Sequence, residues 1–499
     1  MLRKIRIILA TVFFIGITLL LLDTSGALVK ILGWLARLQF LPAVMAMNLG
    51  IIIFVLLLTL VFGRIYCSVI CPLGVMQDGI SHVRVSALRR KHNRRPFNFT
   101  KENKWFRYGV LFIVIVAILL SVQAAVALIA PYSAYGRIVT TLLQPVWLAG
   151  NNLLAHWAEK AGSYAFFAKE LAWKGTVALI VALVTLGLVG FLAWKGGRTW
   201  CNTVCPVGTV LGLVSRFSLF RPVIDAEKCK NCKACEHNCK ASCIDISTHS
   251  IDSSRCVDCF NCLQECKFDA LHYKFAPGLQ KKSAPIKEEP APETHSGRRA
   301  FITGAALAVG GATLRAQEKK VDGGYAVILD KKIPERDTPL TPPGSKSVKD
   351  FYKRCTACQL CVTVCKNHVL RPSTDLKRLM QPEMSFEKGY CRPECVACGE
   401  VCPSGAISRL TPEEKTTYRV GVARVDRDLC VIKDGVSCGL CSRKCPVGAI
   451  RMVSSEEGGP KFPAIAEELC IGCGKCENLC PARPLSAITV NGRPEHLTD

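Results

Sequence analysis

Six groups of four cysteines leave this chain few ways to fold. Cys229, Cys232, Cys235 and Cys239 form the first, and Cys256, Cys259, Cys262 and Cys266 the second. Four more follow: Cys355/Cys358/Cys361/Cys365, Cys391/Cys395/Cys398/Cys402, Cys430/Cys438/Cys441/Cys445 and Cys470/Cys473/Cys476/Cys480. They hold 24 of the 29 cysteines in 499 residues. Dense cysteine in a short secreted domain reads as a disulfide framework, but repeated two- and three-residue gaps in a long chain read as metal sites.

An iron–sulfur cubane takes four thiolates. Three come from one tight loop, and in two-cluster arrangements the fourth comes from the partner motif, usually just before a proline. The first two groups therefore predict two ligand sets, Cys229/Cys232/Cys235/Cys266 and Cys256/Cys259/Cys262/Cys239. Lys240 and Lys267 stand where proline is usual, and Cys243 is an extra thiol competing with Cys239, which the spacing favours. In the last four groups proline follows Cys402, Cys445 and Cys480, Lys366 follows Cys365, and the second and third triplets carry insertions. Exchange of the fourth cysteine between neighbours (first with second, third with fourth) and a nested exchange both fit. Structural zinc uses two Cys-x-x-Cys pairs, often with histidine; here triplets end in a fourth cysteine six times and no histidine recurs beside them. Six [4Fe–4S] clusters are the expectation.

The first 200 residues carry four apolar runs, Ile5–Leu22, Ala43–Phe62, Gly109–Ala130 and Thr176–Trp194. Each approaches the ~20 residues that a helix needs to cross ~30 Å of hydrocarbon. Basic residues open the chain (Arg3, Lys4, Arg6) and crowd between the second and third runs, from Arg84 to Arg107. The positive-inside rule then places both ends of a four-helix unit in the cytoplasm. The expected fold class is a membrane α-helical unit with four transmembrane helices, joined to α+β ferredoxin-like domains. Its expected parts are a membrane domain (1–220), a cytoplasmic two-cluster domain (221–276), a linker (277–297), a twin-arginine segment (298–316), a second linker (317–350) and a four-cluster domain (351–499). The twin-arginine reading rests on Arg298-Arg299 before a short apolar stretch, and such signals export folded, cofactor-loaded proteins. The segment serves as an anchor or is cleaved after Ala316.

Two further cysteine pairs repeat in register. Gly63-Arg64-Ile65-Tyr66-Cys67-Ser68-Val69-Ile70-Cys71-Pro72 follows the second run, and Gly197-Arg198-Thr199-Trp200-Cys201-Asn202-Thr203-Val204-Cys205-Pro206 follows the fourth. Cysteines four apart share a helix face. Cys67, Cys71, Cys201 and Cys205 thus offer four thiols to one metal or cluster, or two redox dithiols. The chain has no Cys-x-x-Cys-His, no histidine in its apolar runs, no dinucleotide fingerprint and no P-loop, so haem and nucleotide chemistry have no sequence support. The formal charge of +25 falls by roughly half once six clusters of about −2 each are counted, and nucleic acid is not an expected partner.

Residues 1–275 resemble the NapH family, with four membrane helices, two Cys-x-x-x-Cys-Pro motifs and a two-cluster ferredoxin. Residues 296–490 resemble the NapG family, with a twin-arginine signal, a Pro-Pro-Gly stretch and four cluster motifs. The resemblance implies a quinol dehydrogenase module in the bacterial inner membrane. It would take electrons from the membrane quinone pool and pass them to a periplasmic reductase, such as nitrate reductase, or to that enzyme's cytochrome or ferredoxin partner. The amino-terminal clusters would then be cytoplasmic and the last four periplasmic, separated by a membrane too thick for one electron hop. Tyr132, Arg137 and Gln144 are either quinol-headgroup ligands or interfacial residues. The alternative function is an accessory redox factor for maturation or regulation of a copper or molybdenum enzyme.

Overall fold

The computed structural model describes residues 1–90, 97–163, 165–170, 174–277, 329–454 and 459–498. The expected twin-arginine segment, 298–316, lies outside the described residues.

The amino-terminal part is helical. In chain order its helices are α1 (Leu2–Leu22), α2 (Val29–Arg37), α3 (Phe40–Met45), α4 (Leu49–Phe62), α5 (Ile65–Val69), α6 (Pro72–Arg90), α7 (Lys104–Leu119), α8 (Gln123–Ile129), α9 (Pro131–Ile138), α10 (Gln144–Lys160), α11 (Thr176–Gly196) and α12 (Pro206–Ser215). Among the described residues two helices, α1 and α11, are long and apolar enough to cross a membrane, at 21 residues each.

The expectation of four such helices is corrected, because the second and third runs are broken. Met47 takes a left-handed φ of 53° and Asn48 caps α4, accepting the Ile51 N–H at 3.3 Å. That leaves α4 with 14 residues, ~21 Å of helix at ~1.5 Å per residue. The third run breaks at Ser121, φ 60°, between the 16-residue α7 and α8. Pro131 then opens α9, and the chain bends by 74° between α8 and the α9–α10 arm; taken as one span, this bent pair would be a third. Hydropathy is blind to a cap or a left-handed residue inside an apolar run.

The helices turn apolar side chains outward: Ile8, Val12 and Ile15 on α1, Ile53 and Leu57 on α4, Ile180, Val184 and Leu188 on α11. Their interior holds fully buried arginines, Arg64, Arg107, Arg137 and Arg198. This inverts the pattern of a helical bundle in water.

The cysteine-rich parts are small α+β units. Phe220–Ile224 pairs antiparallel with Leu271–Phe275 and closes the first unit. In the carboxy-terminal unit Arg419–Val425 pairs with Ile488–Leu497, and Leu370–Pro372 and Ile450–Ser454 each form a hairpin-like pair with Pro382–Met384 and Lys461–Ile465. The two units sit at opposite ends of α11. Beyond its last turn the Arg198 N–H donates to the Lys240 carbonyl at 2.7 Å. Ahead of its first turn Lys174 faces Cys361. The 21 residues between span ~32 Å at ~1.5 Å each. The carboxy-terminal unit is further seated by Ser133, whose hydroxyl donates to the Thr356 carbonyl, and by Arg37, which donates to the Glu400 carbonyl at 3.1 Å.

Candidate iron–sulfur centres

Four of the six triplets wrap their loops with the same backbone device. The residues flanking the middle cysteine take left-handed φ: Asn231 and Lys233 around Cys232, Asp258 and Phe260 around Cys259, Ala357 and Gln359 around Cys358, Gly472 and Gly474 around Cys473. Two reversals within three residues turn all three sulfurs toward one side. The third cysteine then enters a short helix, such as Ala234–His237, Asn261–Glu265 or Lys475–Leu479. The fourth cysteine leaves at the far end of that helix, pointed away from its own loop. Three residues past it the chain turns again through a left-handed residue, at Ser242, Asp269, His368, Gly405 and Gly448.

These geometries assemble four-cysteine pockets. Cys229, Cys232, Cys235 and Cys266 line one, with Ile224, Ile246 and Leu271. Cys256, Cys259, Cys262 and Cys239 line a second, with Cys243 also on its wall. Cys239 and Cys243 lie 3.6 Å apart, and the hydrogen bond from Cys243 draws the Cys239 thiol down to about 6, which favours Cys239 as the thiolate. Cys355, Cys358 and Cys361 share a pocket with Cys402, and Cys470, Cys473 and Cys476 share one with Cys445. Cys398 faces Cys391, Cys395 and Cys365; Cys441 faces Cys430, Cys438 and Cys480. The exchange therefore runs between neighbours, first with second and third with fourth.

Four soft sulfurs on the wall of an otherwise apolar pocket fit a [4Fe–4S] cluster. Among the described residues, no three His, Cys, Asp or Glu side chains converge closely enough for a single metal ion.

The carboxy-terminal sets are ordered in space. The Cys355 set lies against the helical domain, where Gly136 approaches the Cys358 carbonyl so closely that a Cβ would overlap it. The Cys391 set exchanges its fourth cysteine with it. Cys391 then donates its N–H to the Cys473 carbonyl at 2.9 Å, placing the Cys470 set next. The Cys430 set is tied to the Cys470 set through the exchanged Cys445 and Cys480. Lys415, invisible to motif reading, is buried beside the Cys391 set, donates to the Arg392 and Cys395 carbonyls and faces Cys391.

The paired helical cysteines, Cys67, Cys71, Cys201 and Cys205, are all buried and face one another. Tyr132, Arg137 and Gln144 are buried too, rather than at an exposed interface. Arg137 is spent on the Ala127 and Leu128 carbonyls at 2.6 and 2.8 Å, and Gln144 accepts from Lys174 at 2.7 Å. Tyr132 faces Cys358, and its hydroxyl has no partner among the described residues.

A family model described as a 4Fe-4S binding domain matches residues 44–95 and again residues 176–224, and one described as a 4Fe-4S dicluster domain matches residues 436–483. The methylamine utilization ferredoxin-type protein MauM of Paracoccus denitrificans is 30% identical over 192 residues, 37% of this chain and 82% of that protein. The ferredoxin-type protein NapF of Escherichia coli K12 is 27% identical over 169 residues, covering 34% and 96%. The ferredoxin-type protein NapG of the same strain is 30% identical over 152 residues, covering 28% and 65%. No solved structure matches the chain. With 4Fe–4S domains, paired cysteine sets and these relatives, the chain belongs to the ferredoxin-type protein family that includes MauM, whose chemistry is iron–sulfur electron transfer.

Proposed function

We propose that the chain is a membrane-anchored carrier that takes electrons from quinol and passes them, through six [4Fe–4S] clusters, to a periplasmic reductase or to its cytochrome or ferredoxin partner. In this reading a NapH-like unit is joined to a NapG-like unit in one polypeptide. The observation that carries it is the assembly of all 24 grouped cysteines into six sets of three plus one exchanged fourth. When bound, such clusters supply reversible one-electron chemistry.

The chain's own residues set the rest. The left-handed loop residues fix three sulfurs at four of the six sites, and the exchanged cysteine ties neighbouring sites into pairs. The Cys391–Cys473 backbone hydrogen bond joins the two carboxy-terminal pairs into one line, starting at the helical domain. Apolar outward faces on α1, α4 and α11 suit lipid. Seating the two ferredoxin-type units at opposite ends of α11 accords with one unit in the cytoplasm and the other in the periplasm.

The test is to mix anaerobically reconstituted full chain with a reduced quinol analogue. Visible bleaching of the clusters on a turnover timescale is expected. Clusters that dithionite reduces but quinol never does would refute the quinol reading.

A further inference from the structure

We propose that Cys67, Cys71, Cys201 and Cys205 together hold a seventh iron–sulfur cluster inside the helical domain, on the electron route between the two ferredoxin-type units. The inference rests on the reading of the chain as an iron–sulfur carrier and adds a site to it. Either half of the duplicated motif offers only two thiols, too few for a cluster. The fold makes one site of them through reciprocal arginines. Arg64 donates to Cys67 Sγ at 3.8 Å and to the Cys201 carbonyl at 3.2 Å. Arg198 donates to Cys201 Sγ at 3.7 Å and to the Cys67 carbonyl at 2.8 Å. Gly74 and Gly208 let this happen: a Cβ on either would overlap the Cys67 or the Cys201 carbonyl and crowd the crossing guanidinium. All four cysteines are 3–4% exposed.

Charge says what the site holds. Arg6, Arg64, Arg198 and Lys240 are all buried here. Asp78 pairs with three of them, Arg6, Arg198 and Lys240. Arg64 instead reaches Asn202, the Ser254 carbonyl and sulfur, with Asp258 facing it but forming no ion pair. Four cations against one or two carboxylates leave an excess of two or three positive charges. Buried cations need counter-charge, and neutral thiols provide none. Four thiolates around an iron–sulfur core provide about −2. A second observation agrees: Arg64 Nε and Arg198 Nη2 are buried without a partner among the described residues. The sulfurs do not converge tightly enough for a single ion, which favours a cluster over zinc.

Position gives the role. Arg64 binds the Ser254 carbonyl at 2.9 Å, two residues before Cys256 of the first unit. On the other side Tyr66 stands beside Cys67 and faces Tyr132, which faces Cys358 of the carboxy-terminal unit. The cluster gains one electron from the [4Fe–4S] cluster on one side and loses it to the one on the other; no bond breaks and no proton moves.

The test uses the full chain, reconstituted anaerobically. Wild type and a Cys67→Ser/Cys201→Ser variant are compared for iron, sulfide and reduced-state EPR. The variant should lose about 2–4 irons and one EPR signal while the six other centres remain. A Gln77→Leu variant removes a 3.3 Å hydrogen bond to Cys201 Sγ from a side chain that also donates to the Leu73 carbonyl of its own helix. One midpoint potential should then shift downward, since hydrogen bonds to sulfur raise it. Unchanged iron in the double variant and unmoved potentials in Gln77→Leu overturn the proposal. If the double variant loses every cluster, the Gln77→Leu titration decides alone. Wild type holding six clusters and no further iron sinks the seventh site and spares the six-cluster reading; wild type without iron sinks both.

Discussion

Replacing Lys415 with methionine should lower the midpoint potential of one centre, the one held by Cys391, Cys395, Cys398 and Cys365. Lys415 is 5% exposed, and its ammonium donates to two carbonyls of the Cys391–Cys395 loop and faces Cys391. A cation there favours the reduced, more negative form. With the charge ~6 Å from the cluster centre and an effective dielectric of ~20, the interaction is about 2.8 kcal/mol. At ~59 mV per 1.4 kcal/mol for one electron, that is about 120 mV. Local relaxation reduces it, so a drop on the order of 50–120 mV is expected. Methionine keeps the stem's packing but strands two carbonyls, at ~1–3 kcal/mol each, so thermal stability should also fall. The assay is a potentiometric EPR titration of the full chain, with Lys415→Arg as a control that keeps the charge. An unmoved or raised potential for that centre would refute the electrostatic reasoning, and a uniform shift of every centre would refute its locality.

Three further outcomes follow from named contacts. Cys402→Ala should abolish the centre of the Cys355 loop, seen as one lost EPR signal next to the helical domain; a nested exchange would remove the Cys430-loop signal instead. Gly136→Val should unseat the carboxy-terminal unit by overpacking the Cys358 carbonyl, costing ~1–3 kcal/mol and raising protease accessibility, whereas Gly150→Ala, in open space, should change neither. His496 sits against Tyr418 and Thr341, and burial pushes its imidazole down to about 4. The unfolded chain then binds the extra proton between pH ~6.5 and ~4, so stability should fall through that window by up to about 3 kcal/mol. His496→Gln should flatten the melting-temperature profile there, and an unchanged acid slope would remove His496 as its source.

The cluster loops were legible because their chemistry is local: three sulfurs on seven residues announce themselves. The partner of each fourth cysteine was not, since neighbouring and nested exchanges use the same spacing and only the packing of Cys402 beside Cys358 and of Cys365 beside Cys398 separates them. Asn48 and Ser121 escaped a hydropathy reading because one cap or one left-handed residue shortens a span without changing its composition. Arg64 and Arg198 were visible as a repeat, but their crossing onto each other's motif needs both halves folded together. Lys415 and Gln77 carry no motif at all; their meaning comes from which sulfur they reach.

The most direct measurement is iron and acid-labile sulfide per full-length chain after anaerobic reconstitution, with Mössbauer spectra to assign cluster type. Six paired four-cysteine sites require about 24 of each in [4Fe–4S] form, before any contribution from the helical-domain site. Zinc in place of iron, or iron well below that count with the cysteines free to alkylate, would contradict the account.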